Sequence, residues 1–335
     1  MKILVVGGTG LLSTCIAQQL INRGDEVTLC NRGRTPSRLT GYYRQWIGDL
    51  DDSEAILAVI RSEGAWECVI DTVSGIPERA RTVATACAGI SRQLIFCSSS
   101  NVYPKPAHHY PVREDHPLGA AFASGLGKIG CEECYQNAAG RGDFALTIIR
   151  PGQIYGETGG VLHSLGQGLG FLDRVRRGLP VIVHGDGTGL WSALHADDIA
   201  AIFAAAAGNP VAYNDVYHAM GEEWVTWDQY YAGIAEAMGK PMPPLIHVPV
   251  ELLCEIAPQA GDQARRSLQY PGIYDMTRTR RDFNWKQTIP FIEGMRRTID
   301  WLIDHDGIEP WDANLEYERI IREWQAWRES GRKAL

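Results

Sequence analysis

The stretch that decides the fold is Met1-Lys2-Ile3-Leu4-Val5-Val6-Gly7-Gly8-Thr9-Gly10-Leu11-Leu12-Ser13. Its run Ile3-Leu4-Val5-Val6 is short, apolar and rich in β-branched residues, as in a strand buried within a parallel sheet. The glycines turn the chain sharply and let backbone N–H groups approach a ligand. Beyond them, Leu12, Ile16, Leu20 and Ile21 recur along one helix face. A helix beginning behind a glycine turn is a ready anion site. Val27-Thr28-Leu29-Cys30 reads as a second strand. Together these form a βαβ unit shaped to hold a dinucleotide pyrophosphate.

Outward from this unit, strand-like and helix-like segments alternate to about residue 156. Strands are expected at 46–50, 67–73, 93–97 and 144–149, and helices at 53–63, 77–89 and 121–139. Strict alternation implies a doubly wound parallel sheet. Past Pro151 the pattern loosens, with glycines crowding 156–170 and prolines 241–249. Helices return at 197–207, 226–238 and 292–304, and the tail from Leu315 to Trp327 has one apolar face. The expected organisation is a dinucleotide-binding domain over 1–156, with returns at about 193–220. A smaller substrate-binding region follows over 157–192 and 221–314, and a helical tail over 315–335.

Composition sets limits on partners. The 335 residues are 45% hydrophobic and 21% charged, ordinary for a globular chain. The net charge of −8 gives no footprint for nucleic acid or an anionic membrane. No apolar run approaches the ~20 residues of a membrane span. Lys2 leads straight into a core strand, so no signal peptide and a cytoplasmic location are expected. The eight cysteines are scattered and read as reduced thiols. Cys131-Glu132-Glu133-Cys134 has no second pair nearby and reads as incidental, so no metal is expected.

Asn31-Arg32-Gly33-Arg34 follows the second strand, where an adenosine ribose belongs. An acid there selects the free 2′-hydroxyl, and an arginine accommodates a 2′-phosphate. With no acid present and Arg32 in place, NADP is favoured over NAD. Arg34 and Arg38 read as a solvated loop. Asp49, at the end of the next strand, reads either as an adenine acceptor or as a helix cap.

Three further pieces follow in order: Ser98-Ser99-Ser100-Asn101-Val102-Tyr103, Ser124-Gly125-Leu126-Gly127-Lys128, and Arg150-Pro151-Gly152-Gln153-Ile154-Tyr155-Gly156. With Gly7-x-x-Gly10-x-x-Ser13, Gly185-Asp186-Gly187-Thr188, His195-Ala196-Asp197-Asp198-Ile199-Ala200 and Phe283-Asn284-Trp285, they cover nearly the whole chain. The chain resembles the extended short-chain dehydrogenase/reductases, the NAD-dependent epimerase/dehydratase family. That resemblance implies a Rossmann α/β fold with a smaller C-terminal substrate-binding region. It implies an oxidoreductase or epimerase acting on a nucleotide sugar or other polar polyol. A homodimer paired through 77–89 and 124–139 is also implied.

The resemblance assigns roles as well. Gly7, Thr9, Gly10, Leu11 and Leu12 would hold the pyrophosphate, and Asn31, Arg32, Asp49 and Leu50 the adenosine. Thr72, Val73, Lys128, Pro151, Gln153 and Ile154 would lie along the nicotinamide half. The family uses a Ser or Thr to orient the substrate hydroxyl, a Tyr to move its proton, and a Lys four residues on. Ser99 and Lys128 match the first and third; the Tyr position is Ser124. A phenol has a reference pKa of about 10, within reach of a neighbouring cation, and an alkyl hydroxyl does not. Three readings stay open. Another group acts as acid/base, from Tyr103, His108, His109, Tyr155 or His195. Alternatively, Ser124 relays the proton through water to Lys128. In the third, the chain binds nucleotide without turnover, as a sensor. Ser100 and Asn101 stand where the family's 4,6-dehydratases carry an Asp-Glu pair, which argues against that reaction. RNA binding, as in some distant atypical members, is disfavoured by the negative charge.

Overall fold

The computed structural model describes residues 1–166 and 168–333. Residue 167, in the glycine-rich stretch, and residues 334 and 335, the end of the expected tail, lie outside the described residues. The chain divides into two compact units.

The first unit comprises 1–154, 194–222 and 274–288. Its strands are β1 (Lys2–Val6), β2 (Glu26–Asn31), β3 (Arg44–Ile47), β4 (Trp66–Asp71), β5 (Ser91–Cys97) and β6 (Ala145–Pro151), joined by a late strand, Asp215–Ala219. They form one parallel sheet in the order Asp215–Ala219, β6, β5, β4, β1, β2, β3. Strand order reverses at β1, whose neighbours are β2 and β4, so the crevice of an open sheet falls at the end of β1.

Side chains alternate across the sheet with the strand period of two. Ile3, Val5, Leu29 and Ile95 enter one core, which α1 (Leu11–Asn22) and helix Ala196–Ala206 cover. Leu4, Val6, Val69 and Phe96 enter the other, covered by α2 (Ser53–Ser62), α3 (Pro77–Cys87) and α4 (Ala123–Gly140). The sheet is therefore doubly wound.

The second unit comprises 155–193, 223–273 and 289–335. Strand Val181–His184 pairs in parallel with Leu245–Val248. Helices Trp227–Ala237, Phe291–Asp304 and Leu315–Lys333 accompany an aromatic core that includes Trp227, Tyr230, Tyr231, Phe291 and Tyr317. The expected boundaries differ in two places. Residues 274–288, read as substrate region, belong to the first unit, where Thr279 Oγ1 donates to the His218 carbonyl at 2.7 Å. The tail belongs to the second unit, anchored by Tyr317 Oη on the Ile182 N–H at 2.7 Å.

Candidate active site

The glycine turn is fixed by sterics. Gly7 has φ +119° and Gly8 φ +101°. A Cβ on Gly7 would lie 2.3 Å from Thr72 Oγ1, and one on Gly8 2.7 Å from Leu29 Cδ2. Thr72 ties the turn to β1 by donating from Oγ1 to the Val6 carbonyl at 2.8 Å. Asn31 ties it to β2: Nδ2 donates to the Gly7 carbonyl at 3.1 Å, while Oδ1 accepts from the Gly33 N–H at 2.9 Å. The Asn31 side chain thus shapes the turn. Ser13 Oγ accepts from the Gly10 N–H at 3.0 Å. The next N–H groups, Leu11 and Leu12, lie in the first helical turn, where no intrahelical acceptor exists.

A cavity of about 370 Å³ opens in front of this turn. It brings together Gly7, Thr9, Gly10, Asn31, Arg32, Asp49, Leu50, Thr72 and Val73. Arg34, Thr35 and Arg79 line it too. Leu11, Leu12, Lys128, Pro151, Gln153 and Ile154 do not line it, and the Leu12 side chain packs into the core. Arg34 therefore faces a cavity and is not merely a solvated loop residue. Arg79 was legible only as part of a helix of dimerising type. Its guanidinium grips Asp51 with Nε and Nη2, both at 2.8 Å, and holds that carboxyl below its usual pKa. The overlooked signal was its place in the first turn of a helix that follows β4. Cys30 also lines the cavity, with its thiol pushed up to about 11 by burial, so it is protonated at neutral pH.

The neighbouring loop after β4 hangs on a buried carboxylate that sequence reasoning missed. Asp71 accepts from the Val73 and Ser74 N–H groups at 2.9 and 3.1 Å, and from the Tyr135 hydroxyl at 2.5 Å. Lys128 Nζ donates to the Ser74 carbonyl at 2.8 Å and the Cys97 carbonyl at 2.7 Å, with the Phe96 ring 4.7 Å away. The ammonium thus bridges the loop after β4 and the end of β5. Ser99 is half-buried, and its Oγ accepts from the Asn101 N–H at 3.2 Å. Ser124 is exposed in the first turn of α4, one turn ahead of Lys128.

Two glycines press α4 onto these loops and a third sets it against the start of α3. A Cβ would meet the Asn101 carbonyl at 2.2 Å from Gly125, the Gly75 carbonyl at 2.2 Å from Gly127, and Pro77 Cγ at 2.6 Å from Gly130. The backbone approach at Gly125 and Gly127 is open only to glycine.

Tyr103, expected among the catalytic groups, is instead buried at 1% exposure. Its oxygen accepts from Arg150 Nη1 at 2.7 Å, and the His218 ring stands 2.7 Å away. His218 Nδ1 lies 3.0 Å from the Asp275 carbonyl and must donate to it, so Nε2 receives the Tyr103 proton. Burial raises the pKa of this phenol well above its ordinary value. Arg150 completes the network with Glu132, to which Nε and Nη2 donate at 3.0 and 2.7 Å. The reserve acids fare similarly. Tyr155 is buried in the second unit and donates to the Phe291 carbonyl at 3.4 Å. His195 is buried, and its Nδ1 accepts from the Asp197 N–H at 3.2 Å. His108 and His109 are exposed, with ring centroids 5.4 and 4.7 Å from that of His116.

Residues 3–218 match the model of the NAD dependent epimerase/dehydratase family. The chain belongs to that family. It is 25% identical to the 2'-dehydrokanamycin reductase of Streptomyces kanamyceticus over 276 residues, 82% of this chain and 77% of the relative. It is 28% identical to the chloroplast stem-loop binding protein of 41 kDa b of Arabidopsis thaliana over 259 residues, 73% and 65% of the two chains. Against the UDP-glucose 4-epimerase of Mycolicibacterium smegmatis, identity is 26% over 65% of this chain and 64% of the relative. The fold matches that of UDP-glucuronic acid 4-epimerase from Bacillus cereus in complex with NAD, with a TM-score of 0.73. There the identity is 16%, over 91% of this chain and 99% of that one.

The residues present fit the family's NAD. A turn that admits no Cβ, free first-turn N–H groups and a cavity edged by Arg32 and Asp49 suit a pyrophosphate and an adenosine. Among the described residues, no helix is long and apolar enough to cross a membrane.

Proposed function

We propose that the chain is an NAD(P)-dependent oxidoreductase or epimerase acting on a hydroxyl of a nucleotide sugar or other polar polyol. Ser124 stands where its family carries a tyrosine. One observation carries this reading: the Lys128 ammonium is held between the Ser74 carbonyl of the loop after β4 and the Cys97 carbonyl at the end of β5, on a helix locked to the loop after Ser99. Bound dinucleotide would supply the hydride-accepting ring. The chain's own residues do the rest. Gly7, Gly10 and the first turn of α1 hold the diphosphate. Lys128 holds the nicotinamide ribose with the donor it has left. Ser99 orients the reacting hydroxyl.

With Tyr103 and Tyr155 committed elsewhere, the substrate proton leaves through Ser124 to solvent water. Lys128, already an ammonium, steadies the developing negative charge rather than taking the proton. Asn31 in place of an acid, with Arg32 and Arg34 on the cavity wall, favours NADP over NAD. The Pro77–Cys87 and Ala123–Gly140 helices are the proposed dimer face. The net charge of −8 opposes a role in nucleic-acid binding.

A second reading, a silent nucleotide sensor, is favoured by the exposed Ser124 alone. Calorimetry with NADP and NAD, followed by a turnover assay on sugar alcohols and nucleotide sugars, separates the two. Tight binding with no turnover on any substrate, restored by Ser124→Tyr, establishes the sensor. Failure to bind either dinucleotide sinks both.

A further inference from the structure

One flank of the cavity before the glycine turn has features that a diphosphate does not explain. Its lining there is apolar: Cys30, Leu50 and Ile56 are all buried. A Cβ on Gly48 would lie 2.7 Å from Ile56 Cδ1 and 3.5 Å from Cys30 Sγ, so only a residue without one leaves this space open. The loop after β2 brings Arg32 and Arg34 to the cavity. Neither has a hydrogen-bonded carboxylate among the described residues. Arg79 comes from the other side of β1, because α3 follows β4 and strands β4 and β2 flank β1.

Arg79 arrives already neutralised. Nε and Nη2 donate to the two oxygens of Asp51 at 2.8 Å each. Those bonds, with the charges of Asp51 and Asp49, raise the arginine's pKa. Arg32 stands near the same Asp51 carboxyl and helps to lower its pKa after Arg79 has done most of it. Asp51 follows β3, so the fork ties the loop after β3 to α3 across the ends of β2 and β1. The pair is open to solvent, 31% for the arginine side chain and 60% for the aspartate, so it adds little to stability. The two bonds occupy one edge of the guanidinium. Its flat faces and Nη1 remain, and Nη1 has no acceptor among the described residues. A phosphate brought to Arg79 would meet two carboxylates beside it, whereas a neutral ring would not. A guanidinium fixed along one edge also holds its plane, and such a plane stacks well on an aromatic face.

We propose that Arg79, braced by Asp51, grips the adenine of the dinucleotide: its guanidinium plane lies against the base, beside the apolar lining of Cys30, Leu50 and Ile56. Arg32 and Arg34 are left to the 2′-phosphate. The inference rests on the dinucleotide reading and assigns the base a residue from α3. It divides the work between two elements. Arg79 sets how tightly any adenine dinucleotide binds, and the loop after β2 sets which of the two binds better.

The test is calorimetry of the full chain with NADPH and NADH, the weaker ligand measured by displacement with the tighter. Arg79→Ala should lower both affinities by about fivefold or more and by the same factor, so that their ratio holds within about twofold. Arg79→Lys keeps the charge, lacks the plane, and should lose as much. Thermal melts should match the wild type, because the pair is exposed. Should either Arg79 variant misfold, Asp51→Asn frees the fork with the arginine in place, and it too should lower both affinities together. A loss confined to NADPH, unchanged affinities in Arg79→Ala, or wild-type affinities in Arg79→Lys overturns the proposal. Dinucleotide bound equally well by wild type and Arg79 variants sinks only this inference. A wild type that binds neither NADPH nor NADH sinks the dinucleotide reading and this inference with it.

Discussion

Gly127 of α4 and Gly75 of the loop after β4 touch backbone to backbone: a Cβ on the first would lie 2.2 Å from the carbonyl oxygen of the second. Neither side can yield without moving a helix or a loop. Gly127→Ala should destabilise the chain by roughly 1–3 kcal/mol, the range for forced overpacking. It should also weaken dinucleotide binding, because the displaced loop carries the Ser74 carbonyl that holds Lys128. Thermal melts and NADPH titration of the variant check both; an unchanged melting temperature contradicts the contact.

Lys128→Met removes the ammonium while keeping a side chain of similar length. The Ser74 and Cys97 carbonyls then lose their shared donor. Dinucleotide affinity should fall by at least tenfold, and turnover further. Retention of full affinity and turnover would show that the lysine serves the fold alone.

Tyr103→Phe distinguishes a buried strut from a proton donor. The change leaves His218 Nε2 without its donor and Arg150 Nη1 with the Glu114 carbonyl as its remaining acceptor, at 3.0 Å. Stability should drop by about 1–3 kcal/mol, the cost of leaving buried polar groups unpaired. The pH dependence of turnover should keep its shape. A variant that melts like wild type but loses turnover would restore Tyr103 to the reaction.

Acid should loosen both units. Burial holds His163 and His184 at about 4 and His218 at about 3, against an ordinary value near 6.5. Between those values the unfolded chain binds protons that the folded chain refuses, so stability is full above pH ~6.5 and falls as pH drops. Each such site contributes a slope of up to about 1.4 kcal/mol per pH unit. Urea melts from pH 7 to 4 should show the decline. A His218→Gln variant should show a shallower one; equal slopes would remove His218 from the account.

Much of the fold was legible because its signals are local. The run Ile3-Leu4-Val5-Val6, the glycines and the helical spacing from Leu12 to Leu20 each need only a few neighbouring residues to be read. The cavity wall was legible for the same reason, since Arg32, Asp49, Thr72 and Val73 all sit at strand ends. What failed was long-range. Nothing local to Tyr103 shows that Arg150 and His218 will enclose its hydroxyl, or that Asp71 will accept from Tyr135, 64 positions away. The return of 274–288 to the first unit depends on contacts such as Trp285 Nε1 with the Asp198 carbonyl at 3.1 Å. No periodicity announces such a contact.

Ser13 has a consequence for how the chain handles its dinucleotide. Because its hydroxyl oxygen already occupies the Gly10 amide, the bend holds its shape from within and needs no guest to complete it. The entrance to α1 therefore keeps its shape whether or not the site is filled. The turn offers a diphosphate one donor fewer, and in return it needs no ordering when a ligand arrives.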